Sequence, residues 1–269
     1  MASIKGAIQM TGGIKGVSFY SLRGNDKVFM RTKGGPSKEQ MTKSPKFEKF
    51  RKSQIEFGGS ARFGSYARDA FGGLHRLADH NLTPELNKLG RSLIKLDIVN
   101  PVGTRDLRMT SYKPALEGFN FNRNFPFNTV LRVSPQWELD RNTLQATVTI
   151  PRINTDIDLL NIQKLPFFRL IIVLGTISDM VCSPVVDKYV PLVAKLHGAS
   201  LPVTSEWYST QTILAGHTMT VQMSASQIAA LTDDVTVLLS MAVEFGNVGF
   251  TGEPVEVKYA GCGKVLASL

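Results

Sequence analysis

The chain has 269 residues, 43% of them hydrophobic, and a formal net charge of +9 at neutral pH. That is enough apolar material for a sizeable core and excludes an intrinsically disordered chain. No apolar run reaches the ~18–20 residues of a membrane-spanning helix, and the opening Met1-Ala2-Ser3-Ile4-Lys5-Gly6 lacks the apolar centre of a secretory signal, so the expectation is a cytoplasmic protein with no membrane span.

The charge is uneven. Residues 1–125 carry 22 Lys and Arg against 10 Asp and Glu, whereas residues 126–269 carry 9 against 12. Such asymmetry suits a polyanionic partner, an acidic protein surface, or the acidic face of another copy.

The first organised stretch is a β-hairpin. Strands are expected over residues 16–22 and 27–32, around a turn at Arg23-Gly24-Asn25-Asp26 in which Gly and Asn supply positive φ. Phe19, Tyr20, Leu22, Val28, Phe29 and Met30 are its apolar and aromatic residues, and Gly12, Gly13, Gly16, Gly34 and Gly35 surround it. An isolated two-stranded ribbon is marginally stable in water, so residues 1–36 read as an arm that adds to the sheet of a neighbour.

Residues 37–100 read as a basic helical segment. Ser37 and Gln40 have capping-box spacing. Ser44-Pro45 opens a helix that Gly58-Gly59 is expected to stop. A second helix from Ser60 carries Phe63, Ala67, Ala70, Leu74 and Leu77 at a 3.6-residue period, and a third runs from Thr83-Pro84 to about Ile98. Lys43, Lys46, Lys49, Arg51, Lys52, Arg62 and Arg68 form a candidate basic surface that could neutralise phosphates without reading sequence. Glu48 and Glu56 interrupt it, and no helix-turn-helix, zinc-finger or single-strand-binding motif accompanies it.

Residues 101–269 read as a β-sandwich domain. Phe119, Phe121, Phe125 and Phe127 alternate largely with polar residues, as in an extended segment with one buried face; stacking on bases beside Arg123 is the less favoured alternative. Strands then follow over 130–139, 144–150, 167–174, 180–182, 188–196, 203–208, 213–223, 235–245 and 254–266, with a short helix at 224–231 capped by Ser224. Residues 170–174 and 235–243 are apolar on both faces, which calls for cover on both sides. The fold class is therefore α+β: a C-terminal antiparallel β-sandwich with an N-terminal hairpin arm and a three-helix layer.

The chain resembles a family of proteins common in Bacteroidota genomes. The resemblance rests on Ser18-Phe19-Tyr20 with Arg23-Gly24, Arg31 to Ser37, Thr42 to Phe47, Glu56 to Gly59, Leu116 to Phe119, Asn122 to Phe127, and Val130-Leu131-Arg132. It covers most of the chain and implies a bacterial source. No activity or ligand comes with it.

Chemical motifs are sparse. Gly-x-Ser-x-Gly is absent, and Gly34-Gly35-Pro36-Ser37 lacks the Gly-Lys-Ser/Thr ending of a phosphate loop. His75 and His80 are five apart and fall on different helix faces, His197 and His217 are scattered, and no metal site is expected. Asp156, Asp158, Asp233 and Asp234 read as turn acids, and Cys182 and Cys262 as reduced, buried thiols. The favoured function is a non-enzymatic structural protein, without catalytic residues or cofactor, whose partners are other copies of itself. It would build a filament, tube or shell by strand addition. The alternative is non-specific nucleic-acid binding by the basic helices.

Overall fold

A computed structural model describes residues 2–4, 12–22, 27–32, 34–183 and 188–269. The chain is α+β and divides into two compact units, Met1–Arg51 and Lys52–Leu269.

In the first unit, β1 (Ala2–Ile4), β2 (Gly12–Ile14), β3 (Val17–Ser21) and β4 (Val28–Thr32) form an antiparallel sheet in the order β1-β4-β3-β2. The expected ribbon is present, with Phe19 opposite Met30 and Tyr20 opposite Phe29. Its turn at Arg23-Gly24-Asn25-Asp26 lies outside the described residues. The ribbon is not two-stranded, however. β1 pairs with β4 and β2 with β3, so both of its strands have neighbours on either side from their own chain. Helix α1 (Lys38–Lys43) follows, closed by the expected capping box: Ser37 Oγ accepts from Gln40 N–H, and Gln40 Oε1 accepts from Ser37 N–H.

In the second unit, helix α2 (Glu48–Ala70), whose first turn spans the boundary, runs without a break through Gly58-Gly59. This corrects the expectation of two helices. A glycine within a helix costs about 1 kcal/mol relative to alanine, but here tertiary packing demands it. A Cβ on Gly59 would collide with the Tyr189 ring, and one on Gly64 with Asn87 of helix α3 (Thr83–Leu96). One on Gly90 of α3 would stand 2.8 Å from Phe63. Glycines at three places thus let α2 press onto α3 and onto the strand Lys188–Pro191 that carries Tyr189.

The one-turn helix α4 (Phe127–Val130) precedes β5 (Gln136–Asp140) and β6 (Gln145–Ile150). Then come β7 (Phe167–Ser178), β8 (Met180–Ser183), β9 (Lys188–Pro191), β10 (Ser200–Thr204), β11 (Tyr208–Ser209), β12 (His217–Gln222), helix α5 (Ala225–Ile228), β13 (Val235–Val248) and β14 (Pro254–Ser268). The larger sheet has the order β10-β7-β13-β14, with β11 end to end with β10 along β7; the smaller has the order β12-β6-β5.

Strand periodicity explains the layering. Leu170, Ile172 and Leu174 of β7 and Val237, Leu239 and Met241 of β13 point into one core with Ala146, Val148 and Ile150 of β6 and Met219 and Val221 of β12. The alternate residues Ile171, Val173 and Ile177 of β7 and Leu238 and Ala242 of β13 enter a second core with Phe63, Ala67 and Ala70 of α2 and Leu86, Leu93 and Ile94 of α3. The large sheet is covered by a sheet on one face and by helices on the other, hence its double-sided apolar sequence. The helices from Lys52 onward lie in the same compact unit as the sandwich.

Phe119 and Phe121 pack with Phe71, ring centroids 5.9 and 4.9 Å away, while residues 118–121 hydrogen-bond along β14. The extended segment with a buried face is thus real there, whereas Phe127 begins α4.

Candidate functional site

The six arm residues fall within the N-terminal sheet. Val28 is buried, Phe19, Tyr20, Phe29 and Met30 are half-buried, and Leu22 is exposed. The Tyr20 and Phe29 rings stack at 5.8 Å, and the Arg31 guanidinium lies 5.5 Å from the Tyr20 ring centre.

The candidate basic residues have diverse roles. Lys43 pairs with Glu39 one turn away, an exposed pair worth a few tenths of a kcal/mol. Arg51 donates to the carbonyls of Met41 and Ser44, closing the end of α1. Arg62 donates to the Tyr189 carbonyl at 2.7 Å, and Arg68 to the Thr83 hydroxyl at 3.0 Å. Lys52 packs its methylenes against Gly103. Lys46 and Lys49 are exposed and make no hydrogen bond or ion pair with the described residues. Three arginines of the set thus tie loops and strands to helices.

A denser charge cluster escaped the sequence reading. Glu244 of β13, 1% exposed, is gripped by two arginines. Arg169, its cross-strand neighbour on β7, donates to Oε2 at 2.6 Å, and Arg76 to Oε1 at 2.7 Å. Arg169 also reaches Glu256 at 3.1 Å and lies 4.5 Å from the Trp207 ring centre. Two cations face two carboxylates, so the cluster is balanced. It pins the turn after α2 to three strands.

A polar recess lies beyond α2. Asp79 accepts from the backbone N–H groups of Arg123 and Asn124 and faces His80 Nδ1 at 2.8 Å. His80 Nε2 faces Glu85 at 3.3 Å, and Glu85 pairs in turn with Arg123. Burial would push the Asp79 carboxyl up, but the Asn124 N–H, His80 and the Arg123 N–H outweigh it and hold the group below the ordinary carboxylate range. For Glu85 the Arg123 guanidinium is the main cause of a lowered value. His75 is lowered chiefly by burial, then by Arg68.

Asp79, His80, His75 and Arg68 line a recess of about 640 Å³. A second, of about 180 Å³, shares Asp79 and Tyr259 with it. Tyr259 is 59% exposed and has φ +62°, a conformation that bulky side chains rarely adopt.

Several other titratable groups are held by local contacts. His197 is buried against Tyr66, ring centroids 4.0 Å apart, and its Nδ1 accepts from the Ser178 N–H, which places the proton on Nε2. Burial lowers its pKa to about 4. Cys262 is buried and pushed up to about 12 by desolvation, whereas Cys182 is half-buried and donates to the Gly103 carbonyl. Asp158 accepts from Asn154 N–H within its turn, Asp233 lies 3.8 Å from Arg141, and Asp234 pairs with Arg108. Among the described residues no group of three or more His, Cys, Asp or Glu is placed to hold a metal ion, and no helix is long and apolar enough to cross a membrane.

No family model, curated protein or solved structure matches this chain.

Proposed function

We propose that this is a non-enzymatic structural protein that self-assembles into a filament, tube or shell through its N-terminal sheet adding to the sheet of a neighbouring copy. One observation carries the reading. The chain builds its first 51 residues into a compact unit of their own, whose outer strands β1 and β2 are each paired on one side only among the described residues. The sandwich offers a matching edge. Among the described residues strand β5 pairs only with β6, and four of its five residues are exposed.

Edges of this kind are templates for strand pairing, because a row of N–H and C=O groups awaits a partner. Addition at an edge gains backbone hydrogen bonds whatever the partner's sequence. The ribbon's own strands β3 and β4 are already paired on both sides, so among the described residues the candidate edges are β1 and β2. Residues 1–51 carry 11 Lys and Arg against 3 Asp and Glu, and residues 52–269 carry 20 against 19, so the cationic excess sits in the first unit and favours its contact with a different surface over contact with its own kind.

Negative-stain electron microscopy of the full-length protein, washed in high salt to strip nucleic acid, tests the proposal. Regular particles are expected, together with a small soluble species when residues 1–35 are deleted. Particles that vanish once nucleic acid is removed would favour the nucleic-acid reading instead.

A further inference from the structure

The two recesses that meet at Asp79 and Tyr259 present an unusual lining. Asp79 is matched by His80 and two backbone N–H groups, while Arg68, which lines only the larger recess, donates to the Thr83 hydroxyl and has no carboxylate partner among the described residues. Beside them stand neutral polar groups. Asn122 is 4% exposed; its Nδ2 donates to the carbonyls of Leu77 and Gly261, which fixes the amide's orientation and leaves Oδ1 a buried acceptor without a partner. The side chains of Asn124 and Gln163 and the Tyr259 hydroxyl make no hydrogen bond with the described residues. At the rim, the aromatic rings of Tyr259 and Phe125 are 59% and 43% exposed.

We propose that this double recess binds a neutral oligosaccharide. A sugar hydroxyl both donates and accepts, which suits amides offering one group of each kind. The C–H faces of a pyranose ring are apolar and lie flat on aromatic rings; Phe125 presents such a ring, and Tyr259 presents the face that the Lys258 ammonium, 4.9 Å from the ring centre, leaves open. Two adjoining recesses suit a ligand of several linked rings, and convergent polar groups are what fix a ligand's orientation in a site. Asp79, in the wall both recesses share, opposes a phosphate or carboxylate in the smaller recess, which no Lys or Arg lines; Arg68 stands only in the larger one. The left-handed backbone at Tyr259 keeps its ring at the junction, and strain of that sort persists where the surrounding structure enforces it.

Isothermal titration of the full-length protein with cellohexaose, chitohexaose and mannohexaose, and with oligogalacturonate as the acidic counterpart, tests the site. Saturable binding of at least one neutral oligosaccharide at millimolar concentration is expected. Tyr259→Ala should weaken it about tenfold and Tyr259→Phe by less than about threefold, as loss or retention of ring stacking requires. Phe250→Ala, a fully exposed position on the β13–β14 turn outside both recesses, should leave it unchanged. If Tyr259→Ala does not fold, Gln163→Ala on the exposed rim takes its place and should weaken binding measurably. The proposal is overturned if no neutral oligosaccharide binds, if oligogalacturonate binds more tightly than all of them, or if the recess variants bind as the parent does.

Discussion

Acid should find a weak point at His197. The ring is buried against Tyr66, accepts the Ser178 N–H through Nδ1, and has its pKa lowered from 6.5 to about 4 by desolvation. In the unfolded chain it takes up a proton as pH falls through 6.5; in the folded chain it does so only near 4. The unfolded state therefore binds more protons across that window, and stability must fall as the pH is lowered through it, levelling off below about 4. The gap, at about 1.4 kcal/mol per pH unit, amounts to about 3 kcal/mol.

His75, also lowered by burial, adds to the loss in the same range, whereas the acids act differently. Burial raises Asp179, so this group adds stability as it takes up its proton, while Asp97, at about 2, matters only below the ordinary carboxylate range. Replacing His197 by Asn keeps an acceptor for Ser178 and removes the titration. Urea unfolding of both proteins, followed by tryptophan fluorescence at about pH 7.5 and about pH 4.5, isolates the effect, since shared terms cancel in the difference. The parent should lose about 3 kcal/mol more than the variant between those conditions. Parallel losses would refute a neutral buried His197.

Glu244→Ala should cost about 3–5 kcal/mol, because it leaves Arg169 and Arg76 facing each other without their buried carboxylate; urea midpoints measure this. Gly175→Ala should cost about 1–3 kcal/mol, since its Cβ would press on the Ala70 carbonyl at the end of α2, a backbone atom that cannot rotate away. Native thiol titration near neutral pH should modify Cys182 well before Cys262, which should react only on unfolding; equal rates would contradict the burial of Cys262.

The layered architecture was legible where a single periodicity ruled. Residues 235–243 read as apolar on both faces, and the structure sends their alternate side chains into two separate cores. Ser37 and Gln40 announced their capping box. Gly58-Gly59 misled because a local helix propensity of about 1 kcal/mol per glycine competes with a packing demand from Tyr189, more than a hundred residues away in the chain. The grip of Arg76 and Arg169 on Glu244 had one faint signal, a lone acid in the apolar run Val235 to Phe245; its partners lie too far off in sequence to be paired by spacing. Nothing local marked Tyr259 as left-handed or joined it to Asp79 and Asn122, since that recess arises only when the turn after α2, the segment around residue 122 and β14 converge.

Sedimentation velocity of the full-length protein at tens of micromolar, free of nucleic acid, bears most directly on self-assembly. The account expects most of the protein in species many times the monomer mass, and a return to small species when residues 1–35 are removed. A single monomeric boundary at every concentration would contradict it.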